Sequence, residues 1–341
     1  GKYFVRSNFL SINTLINVLF YSLFIHIIYL DLTAIAILFY DGSLITRFGG
    51  FMDSPVLANY ITNTLVALIL SEIIYRMRMK KSILVMPNGV LILCLAACIF
   101  SSIIELIRLG DIILLCTCFL AVFLLMYKNP VYTKNKKILV SLLLVLSFAI
   151  PSIHSFNNDA RWADLLKVAP VALDDSNTLW LTPNSPTPKN SEGEEIDLMP
   201  NYSNYMRIAW IGQSIQYIRE DPFGVGYGRN AFGHAIELRH SDYEKNRGMH
   251  SHSSVLELML GAGILGAILW FVFIFQIIKS SVKLLNNSSS SYFAVFNLLL
   301  ICTFVLRSFV DANMRDHMFL QFMIILGINL SCMFNERKEQ N

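Results

Sequence analysis

Hydrophobic residues occur along this chain in long, nearly uninterrupted runs separated by short polar segments. A helix needs roughly 17–25 apolar residues to cross a bilayer, and eight runs reach or approach that length. They cover residues 9–30, 57–75, 82–104, 109–127, 138–153, 255–278, 290–309 and 317–335. The pattern therefore predicts about eight transmembrane helices.

One further segment, 31–46 (DLTAIAILFYDGSLIT), is apolar but short, and it begins and ends with polar residues. A polar residue at each end is typical of a segment that does not continue through the hydrocarbon. The pattern favours a re-entrant or interfacial segment here over a ninth transmembrane helix.

The composition agrees with a membrane protein. Of the 341 residues, 55% are hydrophobic and only 15% are charged, whereas a soluble domain carries about a quarter charged residues. We therefore expect an all-α polytopic membrane protein. The net charge of +3 is too small to indicate a nucleic-acid partner. The chain begins Gly1-Lys2 rather than with Met, which fits either an expression remnant or the cut end of a longer protein.

The distribution of Lys and Arg predicts the orientation. With a cytoplasmic N-terminus, fourteen of these residues fall in inner segments, and the short outer loops hold only Arg47, Arg108, Arg307 and Arg315. Because short cytoplasmic loops carry the excess of positive charge, both termini are predicted to be cytoplasmic. The long loop 154–254 is then periplasmic.

This topology divides the chain into three parts: N-terminal helices over 1–153, a large periplasmic loop over 154–254, and C-terminal helices over 255–341. The first half of the loop, 154–200, is rich in Pro, Ser, Asn and acidic residues. It predicts irregular structure with at most one short helix around 158–168. Residues 201–222 predict a helix that Asp221-Pro222 ends. Its apolar positions recur at three- and four-residue spacing: Tyr205, Ile208, Ile211, Ile215 and Ile218.

Arg47 opens the segment RFGGFMDSPVLAN at 47–59, on the predicted outer side. Gly49, Gly50 and the Ser-Pro pair indicate a tight turn that feeds a helix starting near Val56. Free N–H groups at a helix start bind anions, and a guanidinium beside them would strengthen a phosphate site. The alternative is an interfacial Arg that reaches the lipid headgroups.

Two features lie on the second half of the long loop. Arg207 lies on the predicted loop helix, where it either serves a site or belongs to the polar face of a surface helix. The segment GVGYG at 224–228 is not a nucleotide-binding P-loop, because no strand precedes it and no Lys-Ser/Thr follows it. Its glycines instead predict a sharp backbone turn.

Two histidines, His250 and His252, directly precede the sixth predicted transmembrane helix. A metal site is one interpretation, but no carboxylate or cysteine lies at ligand spacing. A general base is the other, since imidazole titrates near neutral pH. Glu257 would orient such a histidine or favour the helix N-terminus. The small residues of GAGILG at 261–266 predict close helix packing.

The last outer loop carries Asp311, Arg315 and Asp316. They are either ordinary loop charges or members of a site, since they are predicted to lie on the same membrane face as the other candidates.

With these residues in view, the chain resembles the O-antigen ligase family of bacterial envelope glycosyltransferases over roughly residues 45–335. The segments that carry the resemblance are RFGGFMDSPVLAN at 47–59, MRIAW at 206–210, DPFGVGYGRNAFG at 221–233 and HSHSSVLELMLGAGILG at 250–266. Family members usually have His-Asn where this chain has His252-Ser253. They also usually have more transmembrane helices before the first arginine motif.

The resemblance implies that Arg47 and Arg207 hold a lipid diphosphate and that His252 is the base. Asp311 is a weaker match to an acidic residue in the family's last outer loop, and His250 and Glu257 are possible supporting residues. The implied activity needs no metal and no cofactor. The implied donor is a glycan on undecaprenyl diphosphate.

We therefore expect a ligase that transfers a polysaccharide to a lipid A–core sugar hydroxyl, with inversion, at the periplasmic face of the bacterial inner membrane. Its partners would be the lipid-linked donor, the lipid acceptor and membrane lipids, with no nucleic acid. A polysaccharide polymerase, which uses a lipid-linked glycan as acceptor, is the alternative; one large outer loop rather than two favours the ligase. A non-catalytic glycolipid transporter is a third possibility, though transporters tend to show internal symmetry and mid-membrane charges.

Overall fold

The structure is a computed structural model that describes residues 11–52, 54–127, 134–158, 168–173, 180, 202–226, 228–240, 249–286, 290–315 and 317–338. Over this part of the chain every regular element is helical, which confirms the all-α fold. The helices are α1 (Ile12–Asp41), α2 (Pro55–Met79), α3 (Asn88–Glu105), α4 (Arg108–Met126), α5 (Lys134–Asn158), α6 (Tyr202–Glu220), α7 (Ala231–Arg239), α8 (Ser254–Leu284), α9 (Ser291–Ser308) and α10 (His317–Lys338). A 3₁₀ turn at Gly50–Met52 precedes α2.

Seven of the described helices are long and apolar enough to cross a membrane: α1, α2, α3, α4, α8, α9 and α10. The multi-pass membrane fold is therefore confirmed. The eighth predicted run, 138–153, lies on α5, whose apolar stretch Ile138–His154 is shorter than the other seven helices.

The prediction of a separate re-entrant segment at 31–46 is wrong, because α1 continues without a break from Ile12 to Asp41. The carboxylate of Asp31, which suggested the break, is buried and accepts a hydrogen bond of 2.6 Å from the Ser101 hydroxyl on α3. The helix ends at Gly42, which has φ +69° and donates its N–H to the Leu38 carbonyl. A polar group that finds a partner inside the protein need not interrupt a helix.

The chain forms two compact units. Unit 1 comprises residues 1–155, 274–307 and 318–341, and unit 2 comprises 156–273 and 308–317. The three-part division at 153 and 254, which is drawn from predicted topology, stays a prediction.

Unit 1 buries polar side chains of α2 against α3 and α9. The Glu105 carboxylate accepts hydrogen bonds from the Asn59 amide (2.8 Å) and the Thr62 hydroxyl (2.5 Å). The Arg307 guanidinium donates to the Val56 carbonyl (3.2 Å) and to the Asn59 side-chain oxygen. Since an unpaired charge in hydrocarbon is costly, these residues have to face inward and pair with one another.

Unit 2 has its own apolar core, built from α6, α7, the first turns of α8 and a short helical stretch at 168–172. Its buried members are Val168, Ala172, Trp180, Tyr205, Ala209, Tyr217, Ile218, Ala231, Phe232, Ala235, Ile236 and Leu260. This core explains why the long loop is not irregular throughout: it carries enough apolar surface to fold around Phe232.

The predicted helix at 201–222 is confirmed as α6, and Asp221 and Pro222 follow its end. Of its predicted apolar face, Tyr205 and Ile218 are buried, whereas Ile215 is 41% exposed. The short helix predicted around 158–168 falls mainly on 159–167, outside the described residues.

Candidate active site

The two predicted histidines lie side by side in unit 2, on residues 249–253, which we call the histidine loop. The imidazole centroids of His250 and His252 are 4.2 Å apart. The His252 ring stacks on the indole of Trp210, with centroids 5.3 Å apart and an angle of 7° between the planes. Trp210 lies on α6, one turn after Arg207, so α6 brings an aromatic platform to the histidine loop.

The backbone of His252 has φ +55°, a left-handed conformation that is rare for a residue with a Cβ. Such a conformation persists only where its surroundings hold it, and it is enriched at functional sites. Glu257 supplies part of that hold. Its carboxylate accepts the Ser251 N–H at 2.6 Å and the Phe232 N–H at 3.2 Å. Glu257 therefore ties the backbone between the two histidines to the start of α7.

Ser253 is the N-terminal cap of α8. Its hydroxyl accepts the Leu256 N–H (3.3 Å) and donates to the Ser308 carbonyl (3.3 Å), while its carbonyl accepts the Glu257 N–H (2.9 Å). Asn and Ser are about equally favoured as helix caps. The replacement of the family's usual Asn by Ser253 therefore keeps the capping chemistry.

The segment 308–315 packs on the same helix start. The Asp311 carbonyl accepts the Ser254 N–H (3.0 Å), and the Ser254 hydroxyl accepts the Met314 N–H (2.7 Å). The Asp311 carboxylate accepts the N–H of Ala312 at 2.8 Å. Asp311 thus shapes the turn that presents Arg315 to the site.

The electrostatic environment keeps His252 unprotonated. Burial is the largest cause, and the positive potential of His250, Arg207 and Arg315 acts in the same direction, so the pKa of His252 falls to about 3. At neutral pH the imidazole therefore carries a free lone pair. The same result shows that Arg207 and Arg315 lie near enough to act on His252.

A cavity of about 320 Å³ opens beside the histidine loop. Two guanidinium side chains line it, together with one carboxylate. Its lining residues are Gly228, Arg229, Ser254, Glu257, Leu258, Met314 and Arg315. Guanidinium groups bind phosphate oxygens with two parallel hydrogen bonds, so this cavity has the chemistry of an anion site.

The two glycine motifs meet at a break in α8. Gly263 has φ +73° and ψ 175°, so the helical backbone is interrupted there. The turn after α6 bonds to both sides of the break: the Val225 N–H donates to the Leu260 carbonyl (2.7 Å), and the Ile264 N–H donates to the Pro222 carbonyl (2.9 Å). The turn predicted at GVGYG is thus present. Gly263, within GAGILG, packs closely against this turn, whereas packing of GAGILG against another helix stays a prediction.

The approach is close enough to require glycine on both sides. A Cβ on Gly224, which has φ +84°, would lie 2.6 Å from the Gly263 nitrogen. A Cβ on Gly263 would lie 2.6 Å from the Phe223 carbonyl oxygen. Glycine is required at both positions because the two backbones approach too closely to leave room for a Cβ atom.

Arg47 lies in unit 1, in the predicted turn before α2. It is exposed, has φ +58°, and donates its backbone N–H to the Ile104 carbonyl at 2.8 Å. Gly49 makes the turn possible, since a Cβ there would lie 2.6 Å from the Ser54 carbonyl carbon. Helix α2 starts at Pro55, as the Ser-Pro pair indicates. The diphosphate-binding role of Arg47 stays a prediction.

Three residues of this site were not assigned a role by sequence: Trp210, Arg229 and Arg315. Trp210 and Arg229 stand inside segments that carry the family resemblance, and the sequence leaves Arg315 as either a loop charge or a member of a site. Within the described residues no three His, Cys, Asp or Glu side chains cluster as metal ligands do. Metal independence itself stays a prediction.

A model of the O-antigen ligase family matches residues 59–271, which is more than half of the chain. Arg207, His250, His252 and Glu257 lie inside the match, whereas Arg47, Asp311 and Arg315 lie outside it. Comparison with curated proteins and with solved structures gave no match. The family match and the membrane fold together show that this chain belongs to the O-antigen ligase family.

Proposed function

We propose that this protein is a ligase that transfers a polysaccharide from undecaprenyl diphosphate to a sugar hydroxyl of a lipid A–core acceptor. The reaction takes place at the periplasmic face of the bacterial inner membrane. The observation that carries the proposal is the unprotonated imidazole of His252, which has a left-handed backbone, stacks on the Trp210 indole and lies in the positive potential of Arg207 and Arg315. The family match supports glycosyl transfer of the ligase or polymerase kind.

In this proposal His252 is the general base. As the acceptor oxygen attacks the anomeric carbon, the hydroxyl proton passes to the imidazole. The bond between the anomeric carbon and the phosphate oxygen breaks, and its electron pair leaves with undecaprenyl diphosphate. A single displacement of this kind inverts the anomeric configuration. The donor is already activated, so no nucleotide is consumed.

The arginines hold the diphosphate and stabilise the charge that develops on it as it leaves. Arg207 is a member of this set, as is Arg47 by its family resemblance. Arg315 and Arg229 join them in our proposal, because they line the cavity beside Glu257. A bound diphosphate would offset the positive potential at His252. The pKa of His252 then rises when the donor is bound, which favours proton transfer from the acceptor hydroxyl to the imidazole.

Reconstitution tests the proposal. Purified protein is given a lipid-linked polysaccharide and a lipid A–core acceptor, and the linked product is measured for the wild type and for His252→Ala. A positioned base contributes about 10²–10⁴-fold, so we expect a loss of that size at unchanged protein level. His234→Ala is the matched control, because this exposed histidine lies on α7 and is paired with Glu237 at 3.8 Å. Full transfer by His252→Ala would overturn the proposed role.

The same assay separates the polymerase alternative. A ligase forms no product when the lipid A–core acceptor is left out. If the glycan instead lengthens on the lipid diphosphate under that condition, the enzyme is a polymerase. The absence of product with either acceptor would favour the transporter.

A further inference from the structure

A second cavity, of about 690 Å³, lies in unit 1, far along the chain from the histidine loop. Its walls are mainly apolar and come from the end of α2, from α3 and from α5. The apolar lining residues are Ile73, Met77, Leu91, Ile92, Leu95, Val140, Leu143 and Leu144. Polar residues at the end of α2, in the α2–α3 connection and at the start of α3 complete the lining: Arg76, Lys80, Lys81, Ser82 and Asn88. The cavity therefore has an apolar body and a cationic end.

The charge of the cationic end comes from two lysines. Lys80 and Lys81 are exposed, and no described carboxylate lies within ion-pair distance of either. The third cation, Arg76, is already offset by Glu72, whose carboxylate lies 2.6 Å from the Arg76 Nε. Lys80 and Lys81 thus leave about two positive charges available for a ligand.

The α2–α3 connection, which carries these lysines, is held by side chains of α2. The buried Glu72 carboxylate accepts the Ile83 N–H at 3.2 Å and 3.3 Å. Arg76 donates to the Leu84 carbonyl (3.0 Å) and to the Asn88 side chain (2.7 Å). A buried carboxylate and its arginine are thus used to hold a surface connection in one conformation. These bonds hold the backbone of the connection beside the cavity.

Helix α1 holds the same connection from its other side. The Asn17 side chain donates to the Ile83 carbonyl (3.1 Å) and accepts the Val85 N–H (3.0 Å). Asn17 therefore satisfies both backbone groups as a strand neighbour would. The backbone of the connection is therefore held by side chains of two helices, α1 and α2.

We propose that this cavity binds one anionic phospholipid, with acyl chain against α3 and α5 and headgroup phosphate at Lys80 and Lys81. The volume falls within the range of ligand sites. The lysine stems can lie along the apolar wall while the ammonium groups reach the phosphate. The charge distribution predicts that this end faces the cytoplasm, and basic pockets between transmembrane helices on that side bind anionic headgroups.

Native mass spectrometry of the purified full chain tests the site. The probes are phosphatidylglycerol and phosphatidylcholine with identical acyl chains, added to delipidated protein. We expect wild-type protein to bind phosphatidylglycerol at least about fivefold more tightly, given the usual strength of one lysine near an anionic surface. The double variant Lys80→Gln/Lys81→Gln should lose that preference and bind both lipids alike.

The matched control is Lys279→Gln/Lys283→Gln. These two exposed lysines lie near the end of α8 on the same predicted membrane side, and they do not line the cavity. The control should keep the full preference. A second variant, Ile92→Trp, fills the cavity from an exposed position on α3 and should weaken both lipids. Equal binding of the two lipids by wild type, or an equal loss in the control pair, would overturn the site.

Discussion

The imidazole of His252 lies nearly parallel to the indole of Trp210, at 5.3 Å between ring centroids. The two residues are 42 positions apart in the chain and come from different elements, α6 and the histidine loop. A flat aromatic surface restricts the ring to one plane, so the lone pair points in a defined direction. Trp210 is a positioning residue for the proposed base.

Substitution of Trp210 by an aliphatic residue should therefore reduce activity more than substitution by another aromatic residue. We expect Trp210→Ala to lower kcat/KM about tenfold, in line with the strength of an aromatic pair, and Trp210→Phe to lose much less. The readout is ligation by purified protein, with membrane level measured in parallel. Trp270→Ala is the control, since that indole packs on Phe273 within α8. Equal losses in Trp210→Ala and Trp210→Phe would contradict the stacking role.

The pH dependence of the reaction should reflect the lowered pKa of His252. The folded pKa of about 3 lies below the ordinary 6.5, so the imidazole stays neutral as the pH falls. We expect kcat/KM, which reports the free enzyme, to show no loss from this group between pH 7 and about pH 5. An ordinary histidine would already be mostly protonated at pH 5.

Removal of a positive charge near His252 should change the pH at which kcat/KM falls on the acid side of the profile, here called the acid limb. Because Arg207 lowers the pKa of His252, Arg207→Gln should shift the limb to higher pH. The shift will be partial, since burial is the larger cause. A wild-type profile with its midpoint near pH 6.5 would show that His252 is not the titrating base.

Glu257 should act through the backbone of the histidine loop. Glu257→Ala removes the acceptor of the Ser251 and Phe232 N–H groups, and we expect kcat to fall about tenfold or more as the histidine loop moves. Glu257→Gln keeps an oxygen that can accept one of these bonds and should retain more activity. Turnover at saturating donor measures both. If Glu257→Gln were as inactive as Glu257→Ala, the negative charge itself would be required.

Ser253 offers a test of helix capping. Ser253→Ala should lower the free energy of unfolding by about 1 kcal/mol, the usual value of an N-cap, whereas Ser253→Asn should retain the cap and activity. Thermal unfolding in detergent, followed by helical circular dichroism, reports the difference. A stable, fully active Ser253→Ala protein would mean that the hydroxyl contacts to Leu256 and Ser308 contribute nothing.

Gly263 should tolerate no side chain. Gly263→Ala places a Cβ against the Phe223 carbonyl in a backbone region that only glycine adopts readily, so we expect a loss of about 1–3 kcal/mol in stability. Gly327→Ala, at a helical position on α10 with nothing within 4 Å of the new Cβ, is the control and should be neutral or slightly stabilising. Similar melting temperatures for the two variants would refute the strained break in α8.

Hydrophobic run length predicts the helices well because the bilayer thickness sets their length. The run at 109–127, for example, appears as α4 at Arg108–Met126. The error at 31–46 has a physical cause. Asp31 looks like a terminator until the Ser101 hydroxyl on α3 is known, and a partner 70 residues away leaves no local signal. Likewise, Ile215 fits the apolar face of α6 by spacing, yet the core of unit 2 turns it outward.

In the site, too, local sequence features were predictable, whereas contacts between distant residues were not. His252 and Glu257 were recognisable because polar groups at the start of an apolar helix are unusual. The role of Glu257 was visible only in part, since its partners are backbone N–H groups and not an imidazole. Trp210 and Arg315 could not be assigned, because an aromatic residue in a helix and a charge in a loop gain meaning only from what folding places beside them.

The paired backbone bonds between the turn at Pro222–Val225 and the break at Gly263 have a consequence for protein engineering. Each segment makes backbone hydrogen bonds that the other needs, so neither is expected to keep its conformation when it is moved alone into another protein. A chimera that exchanges one of them between relatives should misfold locally, even with every charged residue retained. The two have to be transplanted together, as a single cassette.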